Sequence, residues 1–190
     1  MNKSIFVAGA GGAIGRRLCP LLIQDGWVVT GTTRSVEKAA ALRAMGVTPV
    51  IVDVFDAQAL LDSVCAAQPA VVIHQLTDLP PALDPAKMPE ARIRNARLRE
   101  IGTRHLVAAA VAAGAQRMVA QSLAFVYAPG PLPYHEDAAL NLNDPDAGLT
   151  ARAVASLEQR VPLAGGSQAG GDLGGFLERP GLGNGGGRDG

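Results

Sequence analysis

A short apolar run, Ser4–Ala8, passes straight into Gly9-Ala10-Gly11-Gly12-Ala13-Ile14-Gly15 and then into a helical period. No other stretch restricts the fold so tightly. Gly9 permits a tight turn, Gly12 lets a diphosphate approach the backbone, and Gly15 lets the helix pack closely on the strand. The helix that follows offers unpaired N–H groups and a partial positive charge at its amino end. Glycine turns also serve plain chain reversal, but a turn between a strand and an amphipathic helix has the context of a phosphate-binding loop. A P-loop is excluded, because no Gly-Lys-Ser/Thr follows.

The rest of the chain keeps the same rhythm. Trp27–Thr30, Pro49–Val52, Ala70–His74 and Arg117–Gln121 join Ser4–Ala8 as five runs rich in Val and Ile. They are nearly continuous rather than alternating, as in strands covered on both faces. Ile14, Leu18, Leu21 and Leu22 form an apolar face on the first helix. Pro20 within it predicts a kink, because it lacks an N–H and crowds the preceding turn. Further helices are read at Val36–Ala44, ended by Gly46, at Gln58–Ala67, and at Glu90–Ala113, ended by Gly114. The last carries Leu98, Ile101, His105, Leu106 and Ala109 on one stripe. Strands alternating with helices require parallel pairing through right-handed crossovers. The chain reads as α/β, with a doubly wound parallel sheet.

Composition narrows the partners. The 17 basic and 17 acidic residues cancel, so no bulk charge is available to hold nucleic acid, and 48% hydrophobic residues exclude a disordered chain. The apolar runs stop short of the roughly 20 residues of a membrane helix, and the amino terminus lacks the apolar length of a signal peptide. Cys19 and Cys65 are too few for a disulfide framework or a zinc site. The expectation is a cytoplasmic protein with no nucleic-acid, membrane or metal partner. Residues 1–162 make the working domain. Of the 23 glycines, 12 crowd into residues 163–190, and that tail has too little apolar periodicity to offset its ordering entropy. It is expected to be irregular.

A site for NAD commonly places a carboxylate at the end of the second strand, about 20 residues beyond the glycine turn. No carboxylate lies between Asp25 and Glu37; Thr33 and Arg34 stand there instead. A hydroxyl and a guanidinium suit a 2′-phosphate, which favours NADP over NAD. The competing reading of Arg34 is a solvated loop residue. Asp53, ending the third strand, can accept a hydrogen bond from an adenine amino group, whereas Asp56 reads as the N-cap of the next helix.

Together these residues resemble the NAD-dependent epimerase/dehydratase family, the extended branch of the short-chain dehydrogenase/reductase superfamily, over about residues 3–160. The resemblance implies a Rossmann-type NAD(P)-binding domain. It puts Gly9, Gly12, Ala13, Ile14 and Gly15 at the diphosphate, Thr33 and Arg34 at the adenosine ribose, Asp53 and Val54 at the adenine, and Leu76 on the nicotinamide side. Gly102-Thr103-Arg104-His105-Leu106 resembles the family's Gly-Thr-x-Asn-Leu, and Val126-Tyr127-Ala128 with Pro133, Glu136 and Asp137 resembles its substrate-side loop. Ser122 matches the catalytic serine, whose hydroxyl would bond a substrate oxygen. Its other reading is a strand-end cap.

Two departures qualify what the resemblance implies. The family's base is a Tyr-x-x-x-Lys pair, in which lysine lowers the tyrosine pKa. Here Lys3, Lys38 and Lys87 all precede Ser122, neither Tyr127 nor Tyr134 has a lysine four residues on, and Thr150 and Val154 stand where the pair belongs. Extended members also continue into a small substrate domain, and Gly175–Asn184 resembles one of its loops, set in glycine-rich sequence. The expectation is a truncated or disrupted member. It would be an NADP-dependent oxidoreductase or epimerase-like enzyme on a small carbonyl or hydroxyl substrate, or alternatively a non-catalytic NADP-binding sensor or remnant.

His105 reads as a hydrogen-bonded core residue, His74 as a strand-end hydrogen bond, and His135 as a loop residue whose imidazole is a candidate substitute base. Arg92, Arg94, Arg97, Arg99 and Arg104 carry the sign of a phosphate partner. At zero net charge they read instead as a solvated face or a subunit contact. Helix 90–113 is also where a homodimer would form.

Overall fold

The computed structural model describes residues 3–161, Glu136 excepted; the tail expected at 163–190 and the loop resemblance within it lie outside the described residues. Five strands form one parallel sheet in the order β3-β2-β1-β4-β5. They are β1 (Ser4–Ala8), β2 (Val28–Thr33), β3 (Thr48–Ile51), β4 (Val71–His74) and β5 (Arg117–Ala120). Ile5 pairs with Val29 on one side and with Val71 on the other. Strand order reverses between β3 and β4, so a crevice opens outside the carboxyl ends of β1 and β4. That switch point is where open α/β sheets take ligands.

β1 is buried along its whole length and divides two cores. Phe6 and Ala8 meet Leu60, Val64, Val72, Leu106 and Leu157 on one face. Ile5 and Val7 meet Cys19, Val29, Leu42 and Ile73 on the other. Helices α1 (Gly15–Gln24) and α2 (Val36–Ala44) cover the second face, while α3 (Ala57–Ala67), α5 (Thr103–Ala112) and α6 (Gly148–Arg160) cover the first. No helix of the described residues is long and apolar enough to cross a membrane.

Two local expectations, the packed face of the first helix and the unbroken helix 90–113, are revised. α1 continues through Pro20 as one helix. Its packed side is Gly15, Leu18, Cys19 and Leu22, while Ile14 and Leu21 are half or more exposed. Close seating of Gly15 sets the phase of the helix, and the most apolar stripe does not. The helix expected over Glu90–Ala113 is α4 (Met88–Arg97), a π-helical segment Leu98–Gly102, and α5. The wider turn advances the buried face, so α5 buries Thr103, Leu106, Ala109 and Ala110. Single π-turns of this kind are frequent beside functional sites.

Candidate cofactor site

The glycine turn is shaped by close backbone approaches. Gly9 has φ +92°, and a Cβ there would stand 2.7 Å from the Gln75 carbonyl oxygen. A Cβ on Gly15 would stand 2.5 Å from the carbonyl oxygens of Gly9 and Ala10. The Gly9 N–H donates to Thr32 Oγ1 at 3.0 Å, and the Gly12 N–H to the Gly9 carbonyl at 3.0 Å. The turn is therefore tied to the end of β2.

A cavity of about 360 Å³ opens in the crevice above this turn. Gly9, Gly12, Thr33, Arg34, Asp53, Val54 and Leu76, all singled out from the sequence, line it. Ala13, Ile14, Gly15 and Ser122 are not part of its wall. Gly15 serves under the turn, and Ala13 and Ile14 are exposed beside it. The volume falls within the range of small-molecule sites.

Each strand end presents its side chains through a specific local contact. Thr33 Oγ1 accepts from the Ser35 N–H at 3.1 Å, and Ser35 caps α2 by accepting from the Lys38 N–H at 3.2 Å. This leaves the Thr33 hydroxyl hydrogen, Arg34 and Lys38 on the cavity side. Glu37 is drawn away: it accepts a hydrogen bond from Ser35 Oγ, which holds its carboxyl below the usual range, and it lines a smaller neighbouring hollow. Asp53 Oδ1 accepts from the Phe55 N–H at 3.0 Å, and Asp56 caps α3 as expected, accepting from the Ala59 N–H. His105 Nδ1 lies 3.0 Å from the Val54 carbonyl, so the expected core histidine pins the Asp53–Phe55 corner.

The wall after β4 is held by buried polar groups. His74 is 2% exposed; its Nε2 lies 3.0 Å from Thr103 Oγ1, and its Nδ1 accepts from the Leu76 N–H at 3.2 Å. Burial first, and then the charge of Arg99, drives its pKa down to about 4, so the ring is neutral. Asn95 is also buried: Oδ1 accepts from the Asp78 N–H, and Nδ2 donates to the Asp78 and Ala91 carbonyls. Gln75 lines the cavity, and its side-chain oxygen is buried without a partner among the described residues.

Several lining residues were not anticipated. Lys38 and Phe55 carry no sequence signal beyond their types. Arg94 and Arg97, read as a solvated face or a subunit contact, line this cavity, and the sign of their charge was the available clue. Arg94 pairs with Asp78 at 3.1 Å and with Glu90 at 3.5 Å. The Arg97 guanidinium lies 4.2 Å above the centre of the Phe55 ring.

Ser122, the expected catalytic residue, stands next to Gln121, which lines a second hollow sharing Leu76 and Thr77 with this cavity. Ser122 Oγ donates to Glu158 Oε1, and the second oxygen of Glu158 is buried without a partner among the described residues. Thr150 and Val154, expected from the resemblance to stand where the family has its tyrosine and lysine, are buried. Tyr127 and Tyr134 stack with ring centres 5.5 Å apart in the loop that follows β5.

Comparison with known proteins bears on this geometry. A family profile described as NAD(P)H-binding matches residues 9–155. A 3-diazoavenalumate denitrifying reductase from a Streptomyces species is 46% identical over 160 residues, covering 83% of this chain and 51% of the relative. The chain thus spans about half the length of that curated relative. A short-chain dehydrogenase/reductase superfamily protein from Agrobacterium tumefaciens, solved with bound NAD, is 29% identical with a TM-score of 0.64 over 84% of this chain and 44% of its own. The UDP-glucose 4-epimerase of Thermotoga maritima, solved with UDP-glucose, shares the fold at 18% identity and TM-score 0.68, over 85% of this chain and 50% of its own.

Proposed function

This chain belongs to the NAD(P)H-binding family, with the fold of epimerases and short-chain dehydrogenase/reductases, and from that premise we propose that it is an NADPH-preferring reductase domain acting on a small electrophile that needs no strong acid partner. The residues present fit the cofactor. The turn has room for a diphosphate only because Gly9 and Gly12 lack side chains. Thr33, Arg34 and Lys38 offer a hydroxyl and two cations where a 2′-phosphate would lie, and the carboxylate on the next helix, Glu37, lines a different hollow. The unpartnered Gln75 oxygen is an acceptor suited to a ribose hydroxyl.

Bound NADPH would supply a hydride. The chain's own residues then govern what can accept it, and the arrangement around Ser122 carries the proposal. The Ser122 hydrogen is directed to Glu158, and Thr150 and Val154 supply neither an acidic hydroxyl nor a cation to lower its pKa. Reducing a carbonyl leaves an alkoxide that must be protonated. Displacing dinitrogen from carbon does not: the electron pair of the carbon–nitrogen bond leaves with the nitrogen, a C–H bond forms, and no oxyanion remains. The name of the Streptomyces relative, a denitrifying reductase of a diazo compound, agrees with an acceptor of that class.

The test is NADPH oxidation by the purified chain, above the enzyme-free rate, with a small arenediazonium salt and with a panel of aldehydes and ketones. Turnover of the diazonium alone supports the reading. Turnover confined to carbonyls refutes the acid-free acceptor. Tight NADPH binding with no turnover at all favours the second reading, a non-catalytic NADP-binding protein, which the absent tyrosine and lysine also suit. A homodimer would form on the outer face of α4 and α5, where Ile93 and Val111 stand exposed.

A further inference from the structure

Four cationic side chains line the cavity, and their surroundings differ. Arg34 and Lys38 stand at the end of β2, beside the glycine turn, and Arg94 is neutralised by Asp78 and Glu90. Arg97 makes no ion pair among the described residues. One face of its guanidinium is covered by the Phe55 ring at 4.2 Å, so its N–H donors leave edgewise, in the plane of the group.

Asp53 lies two residues before Phe55 and lines the same cavity. One of its oxygens accepts the Phe55 N–H, which leaves the other oxygen as an acceptor. Asp53 and Arg97 carry opposite charges on one cavity wall, and they do not pair with each other. The His105 contact to the Val54 carbonyl holds the Asp53 corner, and the Asn95 bonds to Asp78 hold the helix that carries Arg97.

We infer that Arg97, stacked on Phe55, selects the base of the bound dinucleotide together with Asp53. This rests on the reading that the cavity holds an adenine dinucleotide. On its Watson–Crick edge adenine presents the N6 amino donor beside the N1 acceptor. A carboxylate acceptor and a guanidinium donor match that pair in order. Hypoxanthine reverses it, turning a carbonyl oxygen toward Asp53 and an N–H toward Arg97. The site therefore accepts adenine and rejects hypoxanthine, and Arg97 is a residue of base specificity distinct from the cations that meet phosphate.

The experiment is a fluorescence titration of the folded chain and its Arg97→Ala and Arg97→Gln variants with NADPH and with its hypoxanthine analogue, reduced nicotinamide hypoxanthine dinucleotide phosphate. The wild type is expected to prefer NADPH by about tenfold or more, the scale of hydrogen bonds to charged groups. Arg97→Ala loses that preference by weakening NADPH alone, and Arg97→Gln, which keeps planar donors, retains part of it. Equal weakening of both ligands by Arg97→Ala, or no change in either, overturns the inference while leaving the cofactor reading intact. Failure of the wild type to bind either ligand overturns the cofactor reading itself. Circular dichroism of each variant establishes that the comparison is between folded proteins.

Discussion

Ser122 Oγ donates to Glu158 Oε1 at 2.5 Å, and Glu158 follows Val154 by one helical turn and Thr150 by two on α6. Ser122, expected from the resemblance to orient a substrate, is thus engaged by a carboxylate one and two helical turns from Val154 and Thr150.

That bond should be measurable as a coupling. Because the other Glu158 oxygen is already buried without a partner, Ser122→Ala is expected to leave the carboxylate uncompensated, at a cost of about 1–3 kcal/mol. The Ser122→Ala/Glu158→Ala double variant should lose less than the two single losses added together, by about 1 kcal/mol. Urea midpoints of the four proteins decide this, and simple additivity would show that the bond contributes nothing.

Cofactor choice should reside in Arg34. Arg34→Ala is expected to weaken NADPH by about tenfold or more, the scale of a charge-assisted contact, and to leave NADH almost unchanged. Lys38→Ala should act in the same direction with a smaller effect, since a lysine meets phosphate as a point charge. Calorimetric titration with both cofactors is the measurement. Equal losses for NADPH and NADH would remove the 2′-phosphate assignment.

Two glycines with positive φ should respond very differently to alanine. Gly114 has φ +70° with nothing within 4 Å of an added Cβ, so Gly114→Ala should cost only the left-handed strain of about 1–2 kcal/mol. Gly9→Ala adds a collision with the Gln75 carbonyl. It should cost roughly twice as much and abolish NADPH binding. Similar denaturation midpoints for the two variants would mean that the turn relaxes without penalty.

Acid should reach the fold through His74. Its folded-state pKa, about 4, lies below the 6.5 of an unperturbed imidazole. The unfolded chain therefore binds a proton that the folded chain refuses, and stability falls as pH drops from 6.5 toward 4, by roughly 3 kcal/mol in all. Above pH 6.5 both states are neutral and the contribution is fully present. Protonation would put a donor on Nδ1 opposite the Leu76 N–H, so the β4 wall should loosen with it. Urea midpoints across this range test the slope, which His74→Asn should flatten. An unchanged slope in the variant would assign it to other groups.

Much of this was legible along the chain. Nearly continuous apolar runs marked all five strands, and the Asp56 cap and the Val36–Ala44 helix fall where they were read. The missing carboxylate after β2 was visible from Thr33 and Arg34. Other features were not. The π-turn at Leu98–Gly102 arises from packing of that segment against its neighbours and leaves no periodic trace, so the buried stripe of α5 was misjudged. Gly15 seats α1 through a contact with backbone, and hydropathy does not record backbone contacts. Arg94 and Arg97 were dismissed on net charge, which averages over the whole surface and says nothing of one wall.

Local chemistry along the chain was enough to dictate a parallel α/β sheet with a phosphate-ready turn. Strand propensity, glycine conformational freedom and helix caps are set by residues close in sequence. What lines the cavity opposite that turn was set only on folding. Phe55 and Arg97 come from separate βα units, while His74 and Thr103 stand 29 residues apart in sequence and Ser122 and Glu158 stand 36 apart. Their pairing depends on helix phase and sheet order, which follow from packing of the whole domain.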